Sequence, residues 1–208
     1  MNPIMEKIHY ICDWCMRLAY VNLLWILFTL IGLIILGIGP STQAMFAVTR
    51  KWVIEGKEIP IFSTFWSSYR TDFIKSNMLF SILFVIGYVL FFDFRFLIHF
   101  EGWIYTVLTA GLASIMIIYL FTALFTYPMF AHYNIKNAQY LRYSFLIVIS
   151  HPLQLLLLTI IIVPIVFIFL IFPGLLLFFS GSVISLVITH FAWSIFKKLD
   201  SNHALAGE

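Results

Sequence analysis

Ionisable side chains are what this 208-residue chain has least of. Asp, Glu, Lys and Arg make up 10% of it, against about 25% in soluble domains. Hydrophobic residues make up 62%, and the mean hydropathy is +1.03. So few polar groups cannot cover the surface of a soluble fold of this size. A bilayer removes the difficulty by acting as an apolar solvent. The net charge of +3 is too small to argue for a nucleic-acid partner and reads instead as a topology signal. The length suits one membrane domain, 1–208, with no separate soluble catalytic domain.

Cysteine is also scarce. The pair Cys12 and Cys15, with His9 one helical turn before, is geometrically able to form a small redox or metal cluster. No strand–helix context for thioredoxin-like chemistry surrounds it, and the ordinary reading is two small side chains on an interfacial helix. Enzyme signatures are missing too: no phosphate-binding glycine loop, no His-Glu-x-x-His, no Gly-x-Ser-x-Gly. These absences point away from an enzyme and imply no cofactor. The chain also lacks the Glu-Ala-Ala cytoplasmic loop of bacterial ABC permease subunits.

What is present is a set of long apolar runs. A bilayer core of about 30 Å takes about 20 apolar residues in a helix. Five segments qualify, at about 18–38, 77–92, 103–127, 152–171 and 175–196. They must be helices, because lipid offers no partner to an unpaired backbone group. The fold class expected is an all-α polytopic membrane bundle of about five spans. Gly37-Ile38-Gly39-Pro40 is expected to end the first span, leaving 40–76 as the longest loop. Two helical stretches are expected within that loop: Ser41 to Ile54, which follows Pro40 with Ser41 as its N-cap, and Ile61 to Ser76, in which Phe62, Phe65, Trp66, Tyr69 and Phe73 recur at the three- and four-residue spacing of an amphipathic helix.

Five spans place the loop 40–76, the segment 131–143 and the C-terminal tail on one side. That side carries Arg50, Lys51, Lys57, Arg70, Lys75, Lys136, Arg142, Lys197 and Lys198. Lys7, Arg17 and Arg95 fall on the other. The basic excess marks the cytoplasmic face. The expectation is therefore an N-terminus outside and a C-terminus in the cytoplasm.

No Asp, Glu, Lys or Arg lies centrally in any span, so the charged coupling groups typical of ion-driven carriers are absent. The intramembrane polar residues are Asn22, Gln154, Thr159, Thr189 and His190, read as helix–helix hydrogen-bonding groups, with His190 facing a partner helix. Gly181, Ser185 and Thr189 form a small-residue stripe suited to close helix approach. Pro164 is expected to kink or loosen the fourth span. The candidate partner or lipid interface is the aromatic stripe with its basic rim: Arg50, Lys51, Phe65, Trp66, Tyr69, Arg70 and Phe73. Phe65, Trp66, Tyr69 and Phe73 are expected to face one apolar surface, either lipid or a neighbouring helix, with the headgroup layer of the bilayer as the simplest occupant.

Asp13-Trp14, Arg17-Leu18, Asn22-Leu23-Leu24-Trp25, Phe28-Thr29, Gly32-Leu33, Gly37-Ile38-Gly39-Pro40, Ala44-Met45-Phe46-Ala47-Val48 and Arg50-Lys51-Trp52 stand in order. Pro60, Phe65-Trp66, Tyr69-Arg70, Phe73 and Ser76-Asn77 follow. Together these resemble the YesL family of bacterial integral membrane proteins. The resemblance implies a multi-pass protein of the plasma membrane. It also implies a genetic setting beside plant-polysaccharide utilisation systems and ABC importers. It supplies no catalytic residue, and Cys12 and Cys15 are not part of its pattern. The function expected is an accessory or assembly subunit for carbohydrate ABC import, of the pectic or rhamnogalacturonan-derived oligosaccharide type. A stand-alone small carrier or channel, and a membrane modulator of a signalling kinase, are the alternatives.

Overall fold

A computed structural model describes residues 3–56 and 58–206, with side chains described over 4–56 and 58–198. The described chain is an all-α bundle. Its helices are α1 (Pro3–Ile31), α2 (Ile35–Glu55), α3 (Ile61–Thr71), α4 (Phe73–Leu97), α5 (Trp103–His132), α6 (Asn137–Ser150), α7 (Pro152–Ile171) and α8 (Pro173–Ala206). Five of them, α1, α4, α5, α7 and α8, are long and apolar enough to cross a membrane.

The first span does not end at Gly37–Pro40. α1 stops at Ile31, and the chain reverses through Leu33 and Ile34, whose φ values are 56° and 64°. Ile34 is the centre of a tight three-residue turn, with the Ile35 amide bonded to the Leu33 carbonyl at 2.8 Å. Gly37 and Gly39 lie inside α2, where they allow close packing. A Cβ on Gly37 would come within 2.3 Å of the Thr29 carbonyl oxygen, and one on Gly39 within 2.9 Å of that of Ser76. Pro40 sits early in α2 and does not end it.

The expected loop 40–76 is thereby corrected. Residues 35–55 form the central helix of the bundle, packed against α1, α3, α4, α5 and α8. Trp25 of α1 donates to Thr42 of α2 at 3.1 Å, and Trp14 packs edge-on against Trp52 at 5.5 Å. The two helices are therefore antiparallel. α8 runs parallel to α2: Gly181 lies against Met45, and the hydroxyls of Thr189 and Thr49 are 3.0 Å apart.

These contacts settle where the helix ends lie. Trp14, Trp52 and His190 share one groove, so the start of α1 and the later part of α8 are at the same end of the bundle. The expected placement of N- and C-terminal segments on opposite faces is corrected for a simple reason: α2 brings the chain back to the side from which α1 set out. Lys7 of α1, Arg50 and Lys51 of α2 and Lys197 and Lys198 of α8 lie toward this end, and Lys136 follows His132, the partner of Arg50; Arg70 and Lys75 flank Tyr69 and Ser76, which pack beside Phe28 and Gly39 near the hairpin turn. Lys57 lies outside the described residues.

Two apolar cores meet at α2. One joins Val21, Leu24 and Phe28 of α1 to Met45, Val48 and Trp52 of α2 and Phe65 of α3. The other gathers Phe46, Leu79, Phe125, Tyr140, Leu158 and Ile195 from α2 and α4–α8. Tyr140 is wholly buried. Its hydroxyl donates to the Tyr133 carbonyl and accepts from the Ile135 amide, both at 3.0 Å, which fixes the α5–α6 corner.

Candidate functional site

The aromatic stripe predicted for α3 exists, but its best residues are turned inward. Phe65 is 0% and Tyr69 7% exposed. Both pack on Phe28 of α1, with ring centroids at 5.3 and 5.0 Å, and the Tyr69 hydroxyl donates to the Phe28 carbonyl at 3.3 Å. Trp66 also touches Phe28, at 5.5 Å, and stays partly exposed, as does Phe62. Phe73 is half-buried against Tyr69. Of the two surfaces expected for the stripe, lipid or a neighbouring helix, α1 supplies the second for Phe65 and Tyr69, and Trp66 and Phe62 form its outer margin.

The basic rim is divided in the same way. Arg50 Nε donates to His132 Nδ1 at 3.1 Å, beneath Trp193 and Phe196, which pack on the imidazole. Lys51 reaches Thr64 at 3.4 Å. Arg70 is exposed. Asp72, at the α3–α4 junction, has its carboxyl pKa raised by burial; the charge of Lys75 and a hydrogen bond from Ser68 oppose the shift.

Asn22 is the best-defined of the intramembrane polar residues. It is fully buried and grips the backbone of α8 from both sides. Its Nδ2 donates to the Leu177 carbonyl at 2.7 Å, and its Oδ1 accepts from the amides of Gly181 at 2.9 Å and Ser182 at 3.1 Å. Gln154 is half-buried, and among the described residues its Oε1 has no partner. His190 does not face a partner helix. It is exposed, in an outward groove of about 430 Å³ with Trp14, Trp52, Leu186 and Phe191.

Residues that sequence reasoning passed over belong to α2. Ser41, Gln43 and Thr49 are buried in it, and Ser76 of α4 is buried beside Gly39. Among the described residues the Gln43 Oε1 and the hydroxyls of Ser41 and Ser76 have no partner, so the centre of the bundle holds polar atoms beyond those used in packing. Among the described residues no three His, Cys, Asp or Glu side chains converge on a metal-sized site, and Cys12 and Cys15 are exposed, unbonded thiols.

The hairpin, α3 and α4 together form the part of the chain that a family model recognises. Residues 18–94 match the family described as "Protein of unknown function, DUF624". Over nearly the full length, the chain is 34% identical to the "Uncharacterized protein YesL" of Bacillus subtilis (strain 168), across 200 residues that cover 96% of this chain and 94% of that protein. This chain belongs to the YesL family. Two further B. subtilis relatives are YteU, 31% identical over 92% of this chain and 86% of its own length, and YesV, 28% identical over 99% of both. No solved structure matches. Within the family match lie the reversal at Leu33-Ile34, the close contacts of Gly37 and Gly39, and Asn22, so the matched segment includes the device that holds α1, α2 and α8 together.

Proposed function

We propose that this YesL-family chain acts as an accessory or assembly subunit in the plasma membrane, associated with a carbohydrate ABC importer, and carries out no transport or catalysis alone. The observation that carries this reading is how the centre of the bundle is filled. α2 occupies the axis where a carrier would need a path, held by glycine contacts under 3 Å to Cβ positions on two sides. The large apolar grooves lie on the outer surface. The resemblance to the family supplies the expected partner. In this reading the basic end is cytoplasmic, with the termini and the α2–α3 and α5–α6 connections on that side.

The test is a pull-down of tagged protein in mild detergent from cells grown on pectic polysaccharide, paired with uptake by liposomes containing the chain alone. Importer permease subunits in the eluate and no uptake of labelled oligosaccharide are expected. Saturable uptake by the isolated protein would overturn the proposal in favour of a stand-alone carrier.

A further inference from the structure

α5 and α7 leave a groove of about 710 Å³ between them, closed at the basic end by the last turns of α6. We infer that this groove holds an acyl chain of an anionic phospholipid, whose headgroup is bound by Arg142.

The lining argues for lipid over a protein helix. Ile117 and Phe121 of α5 face Leu156, Ile160 and Val163 of α7, and Ile149 of α6 closes the top. Helices associate in lipid through small residues that permit close approach or through hydrogen bonds, since burying Leu or Ile against another helix gains little over burying it in acyl chains. The groove has neither feature. No Gly, Ala or Ser lines it, and its one hydroxyl, Thr159, is spent on the Leu155 carbonyl of its own helix at 2.8 Å. Its shape is left for something flexible and wholly apolar.

α6 supplies the charge. Arg142, Phe145, Leu146 and Ile149 are all exposed and fall at helical spacing, so they make one outward face. The opposite face of α6, with Tyr140, Ser144, Ile147 and Val148, is buried in the bundle. Seven residues separate Ile149 at the groove from Arg142, a rise of about 10 Å. That distance carries the guanidinium from the acyl region into the headgroup layer. Among the described residues Arg142 has no ion pair or hydrogen bond, so its charge is available to a phosphate.

Native mass spectrometry of the purified full chain, exchanged into mixed micelles of phosphatidylglycerol and phosphatidylcholine, tests the inference. The wild type should retain one lipid, with phosphatidylglycerol preferred. Arg142→Gln should lower that preference about fivefold, as loss of one basic contact with an anionic surface does. Leu156→Trp, at an exposed groove position, should lose the retained lipid of both kinds while its unfolding temperature stays near wild type. An R142Q protein with unchanged preference, or an L156W protein that keeps its lipid, overturns the assignment. A dimer mass abolished by L156W would show the groove to be occupied by a second copy and overturn it equally. The experiment reads the isolated chain, so its result stands apart from the importer pull-down.

Discussion

The side chain of Asn22 binds the backbone of α8 at both ends of one turn: it donates to the Leu177 carbonyl and accepts from the Gly181 amide. In an α-helix those two groups are each other's partners, four residues apart, so the amide engages both ends of one backbone bond. A Cβ on Gly181 would meet Asn22 Oδ1 at 3.0 Å and Met45 Sδ at 3.2 Å, so the bridge depends on glycine there. Removing the amide leaves buried backbone groups with weakened or absent partners. Asn22→Ala should lower unfolding free energy in detergent by about 1–3 kcal/mol. Gly181→Val should act in the same direction, and the double variant should cost less than the two single changes added, because each already breaks the same bridge. Additive losses would show that the two residues act separately.

The hairpin of α1 and α2 yields a labelling prediction that uses the native thiols. Cys12 and Cys15 are exposed near the basic end, and Glu101 is exposed in the short α4–α5 connection at the other end. With Lys7, Arg50, Lys51, Lys136, Lys197 and Lys198 toward that end, it should face the cytoplasm. A membrane-impermeant thiol reagent applied to intact cells should therefore spare Cys12 and Cys15 in the wild type. It should label an E101C protein otherwise lacking cysteine. Labelling of the native cysteines from outside would remove the returning helix from the topology.

The hairpin's geometry separates glycines that matter from those that do not. Gly37→Ala places a methyl where the Thr29 carbonyl stands, and backbone cannot move aside as a flexible side chain can. It should prevent stable folding or lower the unfolding temperature markedly. Gly111→Ala and Gly174→Ala meet nothing within 4 Å and should be neutral or slightly stabilising. Ile34→Gly should stabilise by roughly 1 kcal/mol, because a β-branched residue at φ 64° carries strain that glycine lacks. An I34G protein less stable than wild type would show that the turn is held by its side chain.

The outer spans were legible in the sequence because lipid-facing helices must be apolar along their whole length. α7 runs Pro152–Ile171, the residues its hydropathy marks out. α2 was not legible as a bundle helix, and the reason is its location. Shielded from lipid by five neighbours, it tolerates Ser41, Thr42, Gln43, Thr49 and Arg50, whose polarity makes Ser41 to Ile54 read as a helical stretch of a cytoplasmic loop and not as part of the bundle. The reversal before it falls at Leu33-Ile34, which carry no turn chemistry, while the Gly-x-Gly-Pro that resembles a break is a packing surface. Asn22 was visible as an intramembrane polar residue; that its partner is backbone of α8, 155 residues away, was not. The amphipathic face of α3 was correctly placed by periodicity, but periodicity says nothing about what covers a face, and here it is Phe28.

Asp72 gives the stability of this protein a pH dependence with a definite sign. Burial at the α3–α4 junction raises its carboxyl pKa, and the partial compensation by Lys75 and Ser68 does not reverse the shift. A carboxyl whose folded pKa lies above its unfolded value binds more protons folded than unfolded in the window between the two. Its ionisation therefore costs stability. The cost is absent below the unfolded pKa, grows as pH rises through the window and is complete above the raised folded value. Asp72→Asn keeps the shape and has no charge to desolvate. The unfolding temperature of the wild type relative to D72N should fall as pH is raised from about 4 to about 7, other titrating groups cancelling in the difference. The ion pairing with Lys75 acts in the opposite sense, but the site is partly open to solvent, where such attraction is weak. A wild type that gains on D72N as pH rises would mean that Lys75, not burial, governs this carboxylate.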